Sequence, residues 1–274
     1  MYAFSGNELN PPKHPQSQAE RVAHYTALTK RLVLINTHLV ALYSSLRTID
    51  GAVIPKMLAT PHLLISSSDF DMTNMGWGGM ARNVALDRLM LAPLLDPPQG
   101  AERLADPIYS RQSTISAEVI AASIDLFEAI TTHELAILPE LIDLLLRAAV
   151  AFETHDFPAS LITSWAVTEK LGNVQWDRFL KDKKFNKRRR ELLLDSRTYS
   201  AAVRLEVLEL SGFISEDLYT RTNDIRRARN NWIHSLARIE SDDANDALFA
   251  ALDWVSLVSG IRINLPVLRS FGAI

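Results

Sequence analysis

Apolar residues recur three and four positions apart through most of this chain, and each such run predicts a helix. Over residues 18–46 the series Val22, Tyr25, Leu28, Leu32, Ile35, Leu39, Leu42 and Leu46 marks one face of a long amphipathic helix, with His38 at its core edge. Residues 113–132 carry Ile120, Ile124, Phe127 and Ile130, and residues 133–152 carry Leu135, Leu138, Leu141, Ile142, Leu145 and Leu146. Pro139 fits that second run in a first turn, where its missing N–H has no partner to lose. Residues 161–180 and 187–210 form a second expected pair, the later one stopped by Gly212. Ser215 is an N-cap followed by Glu216 and Asp217 at the positive end of the helix dipole, and a last helix covers 242–259 before Pro266. The expected fold is mainly α: an antiparallel helical bundle over 113–274, preceded by a mostly helical region over 1–112.

Before residue 113 the pattern is less regular. Residues 1–16, with Pro11, Pro12 and Pro15, predict an extended arm. Residues 51–68 fit a loop with a short strand at 62–65, or another short helix. Residues 69–79 gather Asp69, Asp71, Asn74, Gly76, Gly78 and Gly79, yet lack both the Gly-Lys-Ser/Thr ending of a phosphate loop and the ligand spacing of a calcium loop, so they read as a turn. A helix over 80–95 then leads into Asp96-Pro97-Pro98-Gln99-Gly100, the clearest linker in the chain, and a boundary near residue 112.

Composition narrows the chemistry. Among 274 residues, 47% are hydrophobic and 22% charged, enough for a sizeable core, and there is no cysteine. Disulfides, thiolate-bound metals and thiol catalysis are therefore excluded. The first residues lack the apolar core of a secretion signal, and a cytoplasmic protein is expected. The net charge is −3, but residues 159–238 hold 16 Lys and Arg against 10 Asp and Glu, leaving that stretch at +6 and the rest at −9.

The positive stretch contains Arg226-Arg227-Ala228-Arg229-Asn230-Asn231-Trp232-Ile233-His234. On a helix, Leu218, Ile225, Ala228, Trp232, Leu236 and Ile239 share one face, whereas Arg227, Asn230 and His234 point away from it and Arg229 sits beside the apolar stripe. An imidazole moves protons at neutral pH, and guanidinium groups bind phosphate through two parallel hydrogen bonds. Together these groups suit metal-independent cleavage of RNA, in which a 2′-hydroxyl attacks the adjacent phosphorus. Arg82-Asn83 repeats the pair but is followed by Asp87 where a His would be needed. The remaining histidines, among them His133 and His155, give no His-x3-His spacing, and no metal or other cofactor is expected.

The segment Arg229-Asn230-Asn231-Trp232-Ile233-His234 resembles the motif of the HEPN superfamily, Arg, a polar residue, and His after four to six intervening positions; Arg227 to His234 matches the longer spacing. The resemblance covers roughly residues 113–274. It implies an all-α bundle with Arg229, Asn230 and His234 as catalytic residues of a ribonuclease, two motifs meeting across a homodimer, and toxin–antitoxin or antiviral-defence settings with a corresponding partner. It also leaves room for a non-catalytic module that binds a partner protein, nucleotide or RNA. Two features could support the motif. Glu169 falls on the face marked by Trp165, Gly172 and Trp176, and could orient His234, pair Arg229, or form a structural salt bridge. The run from Lys181 to Arg190, with Lys183, Lys184, Lys187, Arg188, Arg189 and Arg190, together with Arg226, reads either as a contact for the RNA backbone or as a solvated loop.

Overall fold

The apolar periodicity closes into helices wherever the chain is described, and no strand occurs among the described residues. The computed structural model describes residues 17–52, 56–59, 115–183, 185–195 and 199–267. The expected extended arm, the loop or strand near 62–65, the turn at 69–79, Arg82-Asn83, the helix at 80–95, the linker at 96–100 and Lys184 all lie outside these residues. The helices are α1 (Gln18–Ile49), α2 (Ala117–Thr131), α3 (Leu138–Glu153), α4 (Phe157–Asp182), α5 (Lys187–Leu194), α6 (Ala201–Leu210), α7 (Glu216–Ser235) and α8 (Ser241–Ser259).

Two compact units divide the chain. One takes Val33–Leu58 and the residues from Ala117 onward, so the bundle recruits the second half of α1 from the far side of the expected linker. Described residues 17–32, 59, 115 and 116 belong to the other. There α1 opens with Ser17 and Glu20 capping each other, at 3.2 and 3.1 Å. Val22 and Tyr25, expected on the apolar stripe, are exposed; Leu32, also expected there, is buried, and so is Ala27. By length and composition α1 could cross a membrane, but half of its most apolar window is buried in protein. Within the first unit its polar residues are engaged: Asn36 donates to Asp143, Thr37 to the Pro139 carbonyl, and Ser44 accepts from the Asn264 N–H.

The bundle is organised around α4, which packs against α3, α8, α7 and α6. Its entry is set by Asp156, whose side chain accepts from the Ala159 N–H at 3.1 Å, and by Pro158 in the first turn. Trp176 on α4 and Trp254 on α8 are among the largest fully buried side chains. Trp254 Nε1 also donates to the Thr222 hydroxyl at 3.0 Å, fixing α8 against α7. The segment expected as a single helix over 187–210 is two helices. Asp195 takes an extended conformation after Leu194, and Ser200 does so before Ala201, which interrupts the backbone ladder. The run expected from His133 starts only at Leu138. The ring of His133 explains the delay: Nδ1 accepts from the Leu135 N–H at 2.9 Å and Nε2 bonds the Ser259 carbonyl at 3.0 Å, holding a turn there.

Candidate functional site

The motif rides on the last three turns of α7. Ser215 opens this helix by accepting from the Leu218 N–H at 3.2 Å, and Leu218, Thr222 and Ile225 bury its first half against the bundle. Beyond Ile225 the helix emerges progressively. Ala228 and Trp232 still pack on the core, whereas Ile233, His234 and Ser235 are exposed. The helix stops at Ser235 because Leu236 turns left-handed, with φ 53° and ψ 31°. Leu236, expected on the core face, is consequently 79% exposed, and Ile239 is buried through the loop that follows.

The three arginines of the motif have three different settings. Arg227 is exposed and pairs with Asp224 at 3.6 Å. Arg226 is half-buried and is held from Asn223 Oδ1 by two hydrogen bonds at 3.2 and 2.9 Å. Arg229 donates from Nη1 to Asn230 Oδ1 at 2.9 Å, while its Nε is buried with no partner. Arg229 therefore lies beside the apolar face, as its helical position requires, but its guanidinium reaches round to the polar one. Arg226, Asn230 and His234 are successive members of one i, i+4 row, so side chains on that ridge are neighbours. With its oxygen engaged by Arg229, Asn230 keeps its amide N–H hydrogens to offer to an oxyanion above this row. His234 ends the row in the last turn. It forms no hydrogen bond or ion pair among the described residues, so both ring nitrogens face solvent uncommitted.

Glu169 does not join this group. It is exposed on α4, without a hydrogen bond or ion pair among the described residues, even though Trp165 and Trp176 on the same expected stripe are buried. Its position is at the edge of the buried arc, where a carboxylate reaches water more cheaply than it could be carried inside. The roles of orienting His234, pairing Arg229 or forming a buried bridge are thus not realised. Asn223 and Asp224 were missed by sequence reasoning. Their spacing of three from Arg226 and Arg227 was the available signal.

The cation run lies partly on α5. Asn186 caps it by accepting from the Arg189 N–H at 2.9 Å. Lys187, Arg188, Arg189 and Arg190 are all exposed in its first turn, where positive charge opposes the helix dipole. Only Lys187 has an acidic neighbour, Glu191 at 4.0 Å; Arg188, Arg189 and Arg190 make no ion pair among the described residues. Lys183 lies 3.9 Å from Asp182 and over the ring of Phe213. Among the described residues no three His, Asp or Glu side chains group in a way that could hold a metal ion. Comparison with known proteins returns no matching family model, no matching curated protein and no matching solved structure, so function must be argued from these side chains.

Proposed function

We propose that this chain is a metal-independent endoribonuclease of the HEPN type, in which Arg229 and Asn230 bind the scissile phosphate and His234 moves the proton. The observation that carries the reading is the Arg229–Asn230 hydrogen bond one turn before an imidazole with no partner. The bond holds a guanidinium and an amide donor at one end of a ridge, and the ridge ends in an exposed imidazole that can take up and release a proton. In the reaction the 2′-hydroxyl oxygen bonds to the adjacent phosphorus, its proton passes to an imidazole, and the bond to the 5′-oxygen breaks. That oxygen takes a proton from an imidazolium, leaving a 2′,3′-cyclic phosphate and a 5′-hydroxyl.

One His234 cannot be base and acid in the same step, and no acid among the described residues orients its ring. A second copy related by two-fold symmetry supplies the other imidazole. Ile233 and Leu236, 41% and 79% exposed beside His234, give the apolar surface on which two copies would meet. A toxin or antiviral-defence effector with a dedicated protein partner is the setting this chemistry fits, and an aqueous intracellular compartment is where it would meet RNA.

The test is incubation of the purified full-length chain with single-stranded RNA in EDTA. Cleavage to cyclic-phosphate ends is expected. It should fall by about 10²- to 10⁴-fold in His234→Ala, as removal of a general acid/base requires, and stop on RNA carrying 2′-deoxy sugars. Products from His234→Ala equal to wild type would overturn the assignment. RNA binding without products would instead mark the chain as a non-catalytic binding module.

A further inference from the structure

A different part of the bundle gives up stability at three neighbouring positions. Between α4, α6 and α7 lies a small cleft of about 20 Å³, lined by Trp165, Thr168, Gly172, Arg204, Leu205 and Thr222 among others. Thr168 is 2% exposed, and its hydroxyl has no hydrogen-bond partner. A buried hydroxyl of that kind destabilises a fold unless something else pairs with it. Arg204 is fixed by Asn173, which accepts from Nη1 at 2.8 Å, and by the Trp176 ring 5.8 Å from its guanidinium carbon. Its Nε is buried and unpaired, so the side-on edge of the guanidinium, the edge that grips an oxyanion through two parallel bonds, is unused. Gly172 sits inside the 26-residue α4, where glycine weakens a helix, yet packing does not demand it: a Cβ there would come no closer than 3.9 Å to Trp254.

The polar groups around the cleft keep donors to give. Thr222, whose oxygen accepts from Trp254, still has its hydroxyl hydrogen, and Asn173, whose oxygen accepts from Arg204, still has its amide hydrogens, whereas Glu169 can only accept. Apolar walls from Trp165, Leu205 and Leu208 surround them. We propose that this cleft binds the oxyanion head, carboxylate or phosphate, of a small molecule, with Arg204 gripping it side-on and Thr168 donating to it. Gly172 keeps the floor open. Glu169 stands exposed at the rim and opposes anions there, which favours a compact head that reaches past it. The proposal is independent of RNA cleavage and rests on α4 and α6.

Titration calorimetry of the full-length chain with acetate and with inorganic phosphate tests it, and whichever binds more tightly identifies the head group. A dissociation constant below about 10 mM is expected for at least one. Arg204→Lys, which keeps the charge but not the fork, should weaken binding about tenfold. Thr168→Val should also weaken it while leaving the melting temperature unchanged or higher. Gly172→Ala should raise the melting temperature by about 2–4 °C and weaken binding. Glu169→Gln should tighten it. Absence of binding by both anions, undiminished binding by Arg204→Lys and Thr168→Val, or a lower melting temperature for Gly172→Ala would each overturn the proposal.

Discussion

Arg229 separates the structural from the chemical demands on the motif. Its Nε is buried with no partner, which disfavours the folded state, and its single side-chain bond goes to a residue of the proposed site. Arg229→Met keeps the apolar stem and removes the unpaired donor. Its stability in urea unfolding should be unchanged or higher by up to about 1 kcal/mol. Its RNA cleavage should fall by at least about 10²-fold, the magnitude for losing one oxyanion-stabilising group. A loss of about 2 kcal/mol or more would instead make Arg229 a packing residue. Arg227 provides the contrast, since it is exposed and already paired with Asp224. Arg227→Met should change stability by less than about 0.5 kcal/mol, as exposed pairs do, and cleavage by less than about tenfold, or 1.4 kcal/mol of barrier.

At the scale of the element, the end of α7 is decided by one backbone conformation. A non-glycine residue with φ near 53° is strained by about 1 kcal/mol, so Leu236→Gly should stabilise the isolated chain by a net of about 0.5 kcal/mol after glycine's greater unfolded-state freedom is counted. If Leu236 also docks a second copy, the same substitution should raise the dimer dissociation constant at least about tenfold in analytical ultracentrifugation, because burying a leucine is worth about 1.5–3 kcal/mol. A second element-scale expectation concerns α1. The Tyr43 hydroxyl accepts from the Met57 N–H at 2.8 Å, and burial holds its phenol above the ordinary value of 10.0. The folded state thus keeps a proton that the unfolded chain releases. This stabilisation is fully present below pH 10 and is lost as pH rises through the folded value. Tyr43→Phe should therefore be less stable than wild type near neutrality, by about 1 kcal/mol, and the gap should narrow above pH 10 in urea unfolding. Nearby Lys56, lowered by burial and only partly restored by Glu153, shifts both proteins alike and cancels in the comparison. The existence of these helices was legible in the sequence because three- and four-residue apolar spacing is a local signal; Ser215 as a cap was legible for the same reason. The left-handed turn at Leu236 was not, since no glycine or asparagine announces it. Nor was the outward turn of Glu169, which depends on how wide an arc of α4 its neighbours cover, a tertiary quantity that periodicity does not carry. The polar row Arg226, Asn230 and His234 was half legible: the spacing was there, but the side chains that restrain each arginine decide which of them is available.

Across the molecule, charge is distributed more informatively than its total. The net −3 would repel a polyanion, yet residues 159–238 carry +6, and within them α5 exposes Lys187, Arg188, Arg189 and Arg190 in a first turn that helix electrostatics would rather see acidic. Among the described residues Glu191 approaches Lys187 alone, so the three arginines oppose the dipole without relief from an ion pair there. Stability therefore gives no reason for them, whereas contact with phosphates does, because each neutralised phosphate releases condensed counterions. For single-stranded RNA the dependence of log affinity on log salt has a slope of roughly −0.7 per contact. Replacing Arg188, Arg189 and Arg190 together by Gln should make that slope shallower by about 2 and weaken binding most at low salt. The same triple variant should unfold at the same or a slightly higher urea concentration, since the unfavourable charge at the α5 N-terminus is gone. Fluorescence anisotropy of labelled RNA across a salt series, with His234→Ala as the background to prevent cleavage, reads the slope directly. An unchanged slope would remove α5 from the RNA path and leave its arginines as a solvated surface. A shallower slope with undisturbed folding would assign α5 to backbone contact, and would separate the capture of RNA by this helix from the chemistry at His234.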